Sequence, residues 1–141
     1  MSESYRHRQS GTATLLICLV TAAFVGVALG SRGVLWPALL AIALLIVMAW
    51  LFSSLTIIVE PGELSWYFGP GLWRYRIARS TIQSAAIVQN HWWNGFGIRM
   101  RPGWRLYNVS GFDAVELRLQ SGDVIRLGTD DPRGLEAALD S

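Results

Sequence analysis

Two apolar runs, Thr12–Leu29 and Val34–Phe52, contain no charged residue, and only Gly30-Ser31-Arg32-Gly33 separates them. At about 1.5 Å of rise per residue, each run is long enough as a helix to cross a hydrocarbon core of roughly 30 Å. So short a link leaves only an antiparallel neighbour. The sequence therefore predicts a transmembrane helical hairpin over 12–53, with spans at 12–30 and 34–53. Residues 1–11 form a polar N-terminal tail, and everything after Ser53 is held on the same side as Met1. Arg6, His7 and Arg8 precede the first span, whereas the inter-helix turn offers only Arg32. The positive-inside rule then makes this a multi-pass protein of the cell (inner or plasma) membrane with both termini cytoplasmic. A cleaved signal peptide ending near Gly30 is the rival reading, disfavoured by the second apolar run that follows at once.

Within the first span Thr14, Cys18, Ala22, Gly26 and Gly30 recur every fourth residue and form a narrow small-residue stripe. Such a stripe lets two helix backbones approach closely. Packing against the second span is the plainer use, and homodimerisation the alternative. Trp36 and Trp50 lie about 21 Å apart along the second helix, the spacing of two interfacial anchors. Mid-membrane polarity is limited to Thr21 and the Cys18 thiol, which argues against a carrier or proton relay.

After Ser53 the period changes from helical to alternating. Leu55–Val59 and Leu64–Phe68 flank Glu60-Pro61-Gly62-Glu63, whose Pro-Gly centre predicts a type II turn. Further strands are expected at Trp73–Ile77, Ile82–Gln89, Gly97–Arg101, Trp104–Val109, Phe112–Gln120 and Asp123–Leu127, with Asn90–Phe96 as an irregular aromatic loop. Thr129-Asp130-Asp131-Pro132 then starts a helix with an aspartate cap. Leu135, Ala138 and Leu139 share one face of that helix. Residues 54–141 thus read as a mainly β domain of about seven antiparallel strands followed by one C-terminal α-helix.

Three stretches, NHWWNGFGIRMR (90–101), GWRLYNVSGF (103–112) and RLGTDDPRGLEAAL (126–139), resemble the bacterial membrane-anchored proteins that carry a pleckstrin-homology-like domain. The resemblance extends over nearly the whole chain after Gly11. It implies a barrel in meander order closed by the C-terminal helix, with two transmembrane helices ahead of the domain. It implies no activity, because the group is largely uncharacterised. Eukaryotic relatives hold phosphoinositides with basic residues around the first hairpin, and Leu55–Phe68 contains none.

All 12 basic residues are Arg, so Schiff-base lysine chemistry and the P-loop lysine are excluded. The sole cysteine, Cys18, permits neither an intrachain disulfide nor a thiolate metal cluster. No nucleophile elbow, zinc-protease, Walker or dinucleotide-binding motif occurs, and His7 and His91 stand far apart in the chain. We expect no enzyme, no cofactor and no metal. Between Glu63 and Asp113 no acidic residue occurs, and the Arg there include Arg74, Arg76, Arg99 and Arg101, exposed by strand parity. Trp92 and Trp93 fall in the loop, whereas Trp66, Trp73 and Trp104 are expected in the core. The domain's near-neutral balance argues against nucleic acid. The expected function is a non-catalytic membrane protein whose domain is an interaction or scaffold module for another membrane protein or a second copy. The alternative is a sensor of anionic lipid headgroups using Arg74, Arg76, Arg99, Arg101 and the Trp92-Trp93 loop.

Overall fold

The computed structural model describes residues 4–141, so the first three residues of the expected tail lie outside the described residues. The rest of that tail is a strand. Tyr5–Ser10 (β1) alternates outward and inward side chains and precedes two apolar helices, Thr12–Gly30 (α1) and Leu35–Leu51 (α2). α1 is long and apolar enough to cross a membrane, and α2 is a shorter apolar helix of 17 residues. The chain continues through Ser54–Val59 (β2), Glu63–Phe68 (β3), Arg74–Ala78 (β4), Ile82–Gln89 (β5), Gly97–Arg101 (β6), Trp104–Asn108 (β7), Asp113–Leu119 (β8) and Val124–Gly128 (β9). It ends in the helix Pro132–Asp140 (α3).

These strands form two sheets, not one closed barrel. The first has the order β1-β2-β3-β4, all antiparallel, and the second β5-β8-β9-β7-β6. The second sheet departs from a meander because β9 passes between β8 and β7 and runs parallel to β7. A parallel pair needs a long connection, here β8 and its turns.

β1 changes what the helices are. Ser10 pairs with Ser54 and Tyr5 with Val59, so β1 and β2 are neighbours in one sheet and α1 and α2 are inserted between them. The helices therefore interrupt the β domain and do not precede it. Gly11 N–H donates to Ser53 O at 2.8 Å, which brings the start of α1 and the end of α2 together. A Cβ on Gly11 would run into the Phe52 carbonyl, so the close approach depends on glycine.

The core lies between the sheets. Leu55, Ile57, Val59, Leu64, Trp66 and Phe68 face Tyr107, Val109, Val115, Leu117, Ile125 and Leu127, and Leu135 of α3 closes one margin. Tyr107 sits edge-on to Trp66 at 5.2 Å between ring centroids. α3 is fixed at both ends. Asp131 caps its first turn by accepting from Gly134 N–H at 3.1 Å, and Arg79 donates to the carbonyls of Ala138, Leu139 and Ser141.

Three local expectations fail: the type II turn, and the core placement of Trp73 and of Trp104. Gly62 does not have positive φ, so the Glu60–Glu63 turn is not type II, although the Glu63 N–H to Glu60 O bond closes it at 3.3 Å. Trp73 is 67% exposed and not core, because the chain is still in the turn between β3 and β4 there and no facing sheet covers it. Trp66 is buried as expected, and Trp104 is half-buried on the outer face of the second sheet.

Candidate functional site

The helices are bound to the domain by more than two peptide links. α1 has no side-chain cap of its own at Gly11. Its first turn is met instead by the β7–β8 turn: Ser110 Oγ accepts from Ala13 N–H at 3.4 Å, and Thr14 Oγ1 donates to Val109 O at 2.7 Å. That turn is held in shape by Asn108, which donates to Gly111 O at 3.0 Å and accepts from Ser110 N–H at 3.3 Å. On the other side, Gly69 at φ +49° lets the β3–β4 turn lie against the last carbonyls of α2. Apolar helix and polar sheet are thereby joined as one body.

Around these junctions the domain exposes large apolar side chains. Leu72, Trp73, Trp92, Trp93 and Phe112 are each about half exposed or more. Leu72 and Trp73 lie beside Leu51 and Phe52 at the end of α2, and Trp92 and Phe96 beside Ile17, Cys18 and Met48. The aromatic loop is ordered locally. Trp93 stacks on His91 at 4.1 Å with nearly parallel rings, and Trp92 meets Trp93 edge-on at 6.0 Å. Two adjacent tryptophans in a short turn cannot both reach the core, and here neither does.

The four arginines expected to share a surface do not. Arg99 lies beside the Trp92–Gly97 loop, lining a groove with residues of α1 and α2. Arg101, further along β6, stacks over Trp104 at 5.1 Å from its ring. Arg74 and Arg76 project from the outer face of the first sheet.

There they meet residues that sequence reasoning assigned elsewhere. Register places Arg6 and Arg8 of β1, Thr56 and Ile58 of β2, Ser65 and Tyr67 of β3 and Arg74 and Arg76 of β4 on the same face. Two of them meet Tyr67: Arg6 Nη2 donates to its hydroxyl at 3.2 Å, and the Arg74 guanidinium lies 4.9 Å from its ring centre. Thr56 and Ser65 are almost fully buried beneath this layer although they point outward. Burial pushes the Tyr67 phenol up, but a hydrogen bond with Thr56 and the charges of Arg6 and Arg74 outweigh it and hold it below its ordinary value. Among the described residues Glu63 is the one acid whose strand position falls on that face, in a loose 3.8 Å pair with Arg76. Elsewhere arginines have structural partners: Arg126 donates to Glu116 at 2.7 Å, and Arg79 caps α3. The first sheet therefore presents an arginine wall of Arg6, Arg8, Arg74 and Arg76. The period-two pattern Tyr5-Arg6-His7-Arg8-Gln9 was the signal that Arg6 and Arg8 belong to a strand.

On the inner side of β1, Tyr5 donates to Asp131 Oδ2 at 3.0 Å and His7 contacts Asp130. Burial pushes the Tyr5 phenol up, and Asp131 and Asp130 push it further in the same direction. These contacts latch the strand before the helices to the helix that ends the fold.

In the helical pair, Cys18 and Ala22 line the groove between α1 and α2 with Leu45, Ile46 and Ala49. A Cβ on Gly26 would touch Ile42 at 3.7 Å, so Gly26 faces α2, whereas nothing lies near Gly30. Trp36 and Trp50 are both exposed on α2. Among the described residues no cluster of His, Cys, Asp and Glu has the grouping of a metal site. No protein-family model matches the chain, and no curated protein is similar to it.

Proposed function

We propose that this chain is a non-catalytic integral membrane protein, and that its pleckstrin-homology-like β domain is an interaction module seated on the bilayer. In this reading α1 and α2 both cross, with their shared base and both termini on the cytoplasmic side. The observation that carries it is the insertion of the helices between β1 and β2. Because Ser10 pairs with Ser54 and Gly11 bonds Ser53, both helix ends leave the domain at one place. A pair of apolar helices anchored so must enter and leave a membrane on the same side. The length of α2 suits this, since about 17 residues is the lower limit for a span.

Two surfaces then divide the work. The aromatic rim around the helix bases sits among the headgroups, where tryptophan is favoured and each nearby arginine gains about 1 kcal/mol from anionic lipid. This rim supports the headgroup reading for Trp92, Trp93 and Arg99. The arginine wall rises from the rim, because β1 and β2 lead away from the helix ends. Arg8 and Arg74 stand about 7 Å, and Arg6 and Arg76 about 13 Å, along strands from that base. A flat lipid surface reaches only the lower row, whereas an acidic protein segment running along the wall reaches both. The wall is accordingly the scaffold's docking face.

A photo-cross-linker at Tyr67 in native membranes tests the reading. Capture of a discrete membrane protein through an acidic segment, abolished by Arg6→Glu with Arg74→Glu, supports it. Capture of lipid alone, or capture that the charge reversals leave unchanged, overturns it.

A further inference from the structure

A groove of about 620 Å³ opens between the helix bases and the aromatic loop. Its walls are Thr14, Ile17 and Cys18 of α1, Met48 of α2, Phe52, and the segment from Trp92 through Gly95–Arg99. Its chemistry is asymmetric. The α1 and α2 residues are apolar or nearly so, and Arg99 is the one charged residue in the lining. Gly95, at φ +68°, carries no side chain, and a Cβ there would come within 2.8 Å of Arg99 Nη2. The guanidinium thus rests over the loop backbone, in space that glycine leaves open. Among the described residues no carboxylate pairs with Arg99, unlike Arg118 and Arg126, which both meet Glu116.

An apolar trough between the two apolar helices and the loop, with Arg99 its one charged lining residue, matches a molecule with an apolar chain and an anionic head. We propose that the groove binds one anionic phospholipid, its phosphate on Arg99 and an acyl chain along Ile17, Cys18 and Met48. The bound lipid ties the aromatic loop to the helices. Zwitterionic lipids fit less well, because their ammonium offsets the charge that Arg99 recognises. This inference rests on the membrane reading above and adds to it a defined ligand site.

The test is native mass spectrometry of the full-length protein released from nanodiscs of mixed phosphatidylglycerol and phosphatidylcholine. The wild-type chain should retain one phosphatidylglycerol. Arg99→Gln should reduce that retention about tenfold, the worth of a charge-assisted hydrogen bond. Ile17→Trp, which fills the trough without touching the charge, should reduce it as well. Arg101→Gln, whose arginine stacks on Trp104 outside the groove, should leave it unchanged. Excess inorganic phosphate should not displace the lipid, because it lacks the chain; displacement by phosphate would show a simple anion site and overturn the proposal. Equal retention in Arg99→Gln and wild type, or equal loss in Arg101→Gln, would overturn it too. In each of these cases the protein still enters the nanodisc, whereas a chain that fails to enter refutes the membrane reading itself.

Discussion

The β domain has two margins where its core would meet its surroundings, and it treats them oppositely. At one, α3 covers the opening: Leu135 is fully buried, Asp131 caps the first turn, and Arg79 binds the last carbonyls. At the other, where α1 and α2 leave, the helix bases meet only the adjoining turns, and Trp73, Trp92, Trp93 and Phe112 stay exposed. Both margins are apolar at their centre. The first is completed by protein and carries polar groups with partners, whereas the second keeps large apolar side chains exposed. An exposed apolar patch of this kind is costly in water and marks a contact surface.

The largest effect we expect separates the margins by stability. Leu135→Ala should cost about 2–5 kcal/mol, because the site is fully packed and a cavity remains. Trp92→Ala with Trp93→Ala should change thermal unfolding in detergent by less than about 0.5 kcal/mol, since neither ring is in the core. A comparable loss in both would erase the distinction. Arg79→Ala should come next, at about 1–3 kcal/mol, because the α3 carbonyls lose a charged donor. Asp131→Ala should cost about 1 kcal/mol for the lost cap, with the Tyr5 hydroxyl also left without its acceptor.

The smallest effect lies in two tyrosines of the first sheet, Tyr5 of β1 and Tyr67 of β3. Tyr67, on the arginine wall, is lowered, and Tyr5, against Asp131, is raised. Phenolate absorbance on alkaline titration should therefore show an early phase that Tyr67→Phe removes and Tyr5→Phe does not. The raised Tyr5 stabilises the fold fully below the ordinary value of about 10 and progressively less as pH rises past it. Tyr5→Phe should flatten that alkaline loss.

Much of this architecture was legible because local signals agreed. The uncharged runs gave α1 and α2, alternation gave most strands to within a residue or two, and Asp131-Pro132 marked the start of α3. What escaped was set by distant parts of the chain. Tyr5–Ser10 reads as a charged tail until β2, which follows both helices, offers it a register. Once β1 is placed, Arg6 and Arg8 change from topology signals into half of the arginine wall. The β7–β9 parallel pair escaped for the same reason, since hairpin signals speak only for neighbours. Trp73 continues the alternation of β4 in sequence but lies one residue before the strand begins, in the turn, so the pattern alone gives it the wrong environment. Arg74, Arg76, Arg99 and Arg101 were each placed on the surface by parity, but parity cannot tell which sheet face two strands share.

The most direct test of the central claim is accessibility of single spin labels in a Cys18→Ala background, reconstituted in lipid nanodiscs. One label replaces Trp93 on the rim, and the other replaces Ser121 in the turn at the far end of β8. If the rim lies in the membrane surface, the Trp93→Cys label should relax with lipid-soluble oxygen and be shielded from an aqueous nickel chelate. The Ser121→Cys label should show the reverse. Equal exposure of both labels to the chelate would mean that the domain stands clear of the bilayer, and would contradict the account.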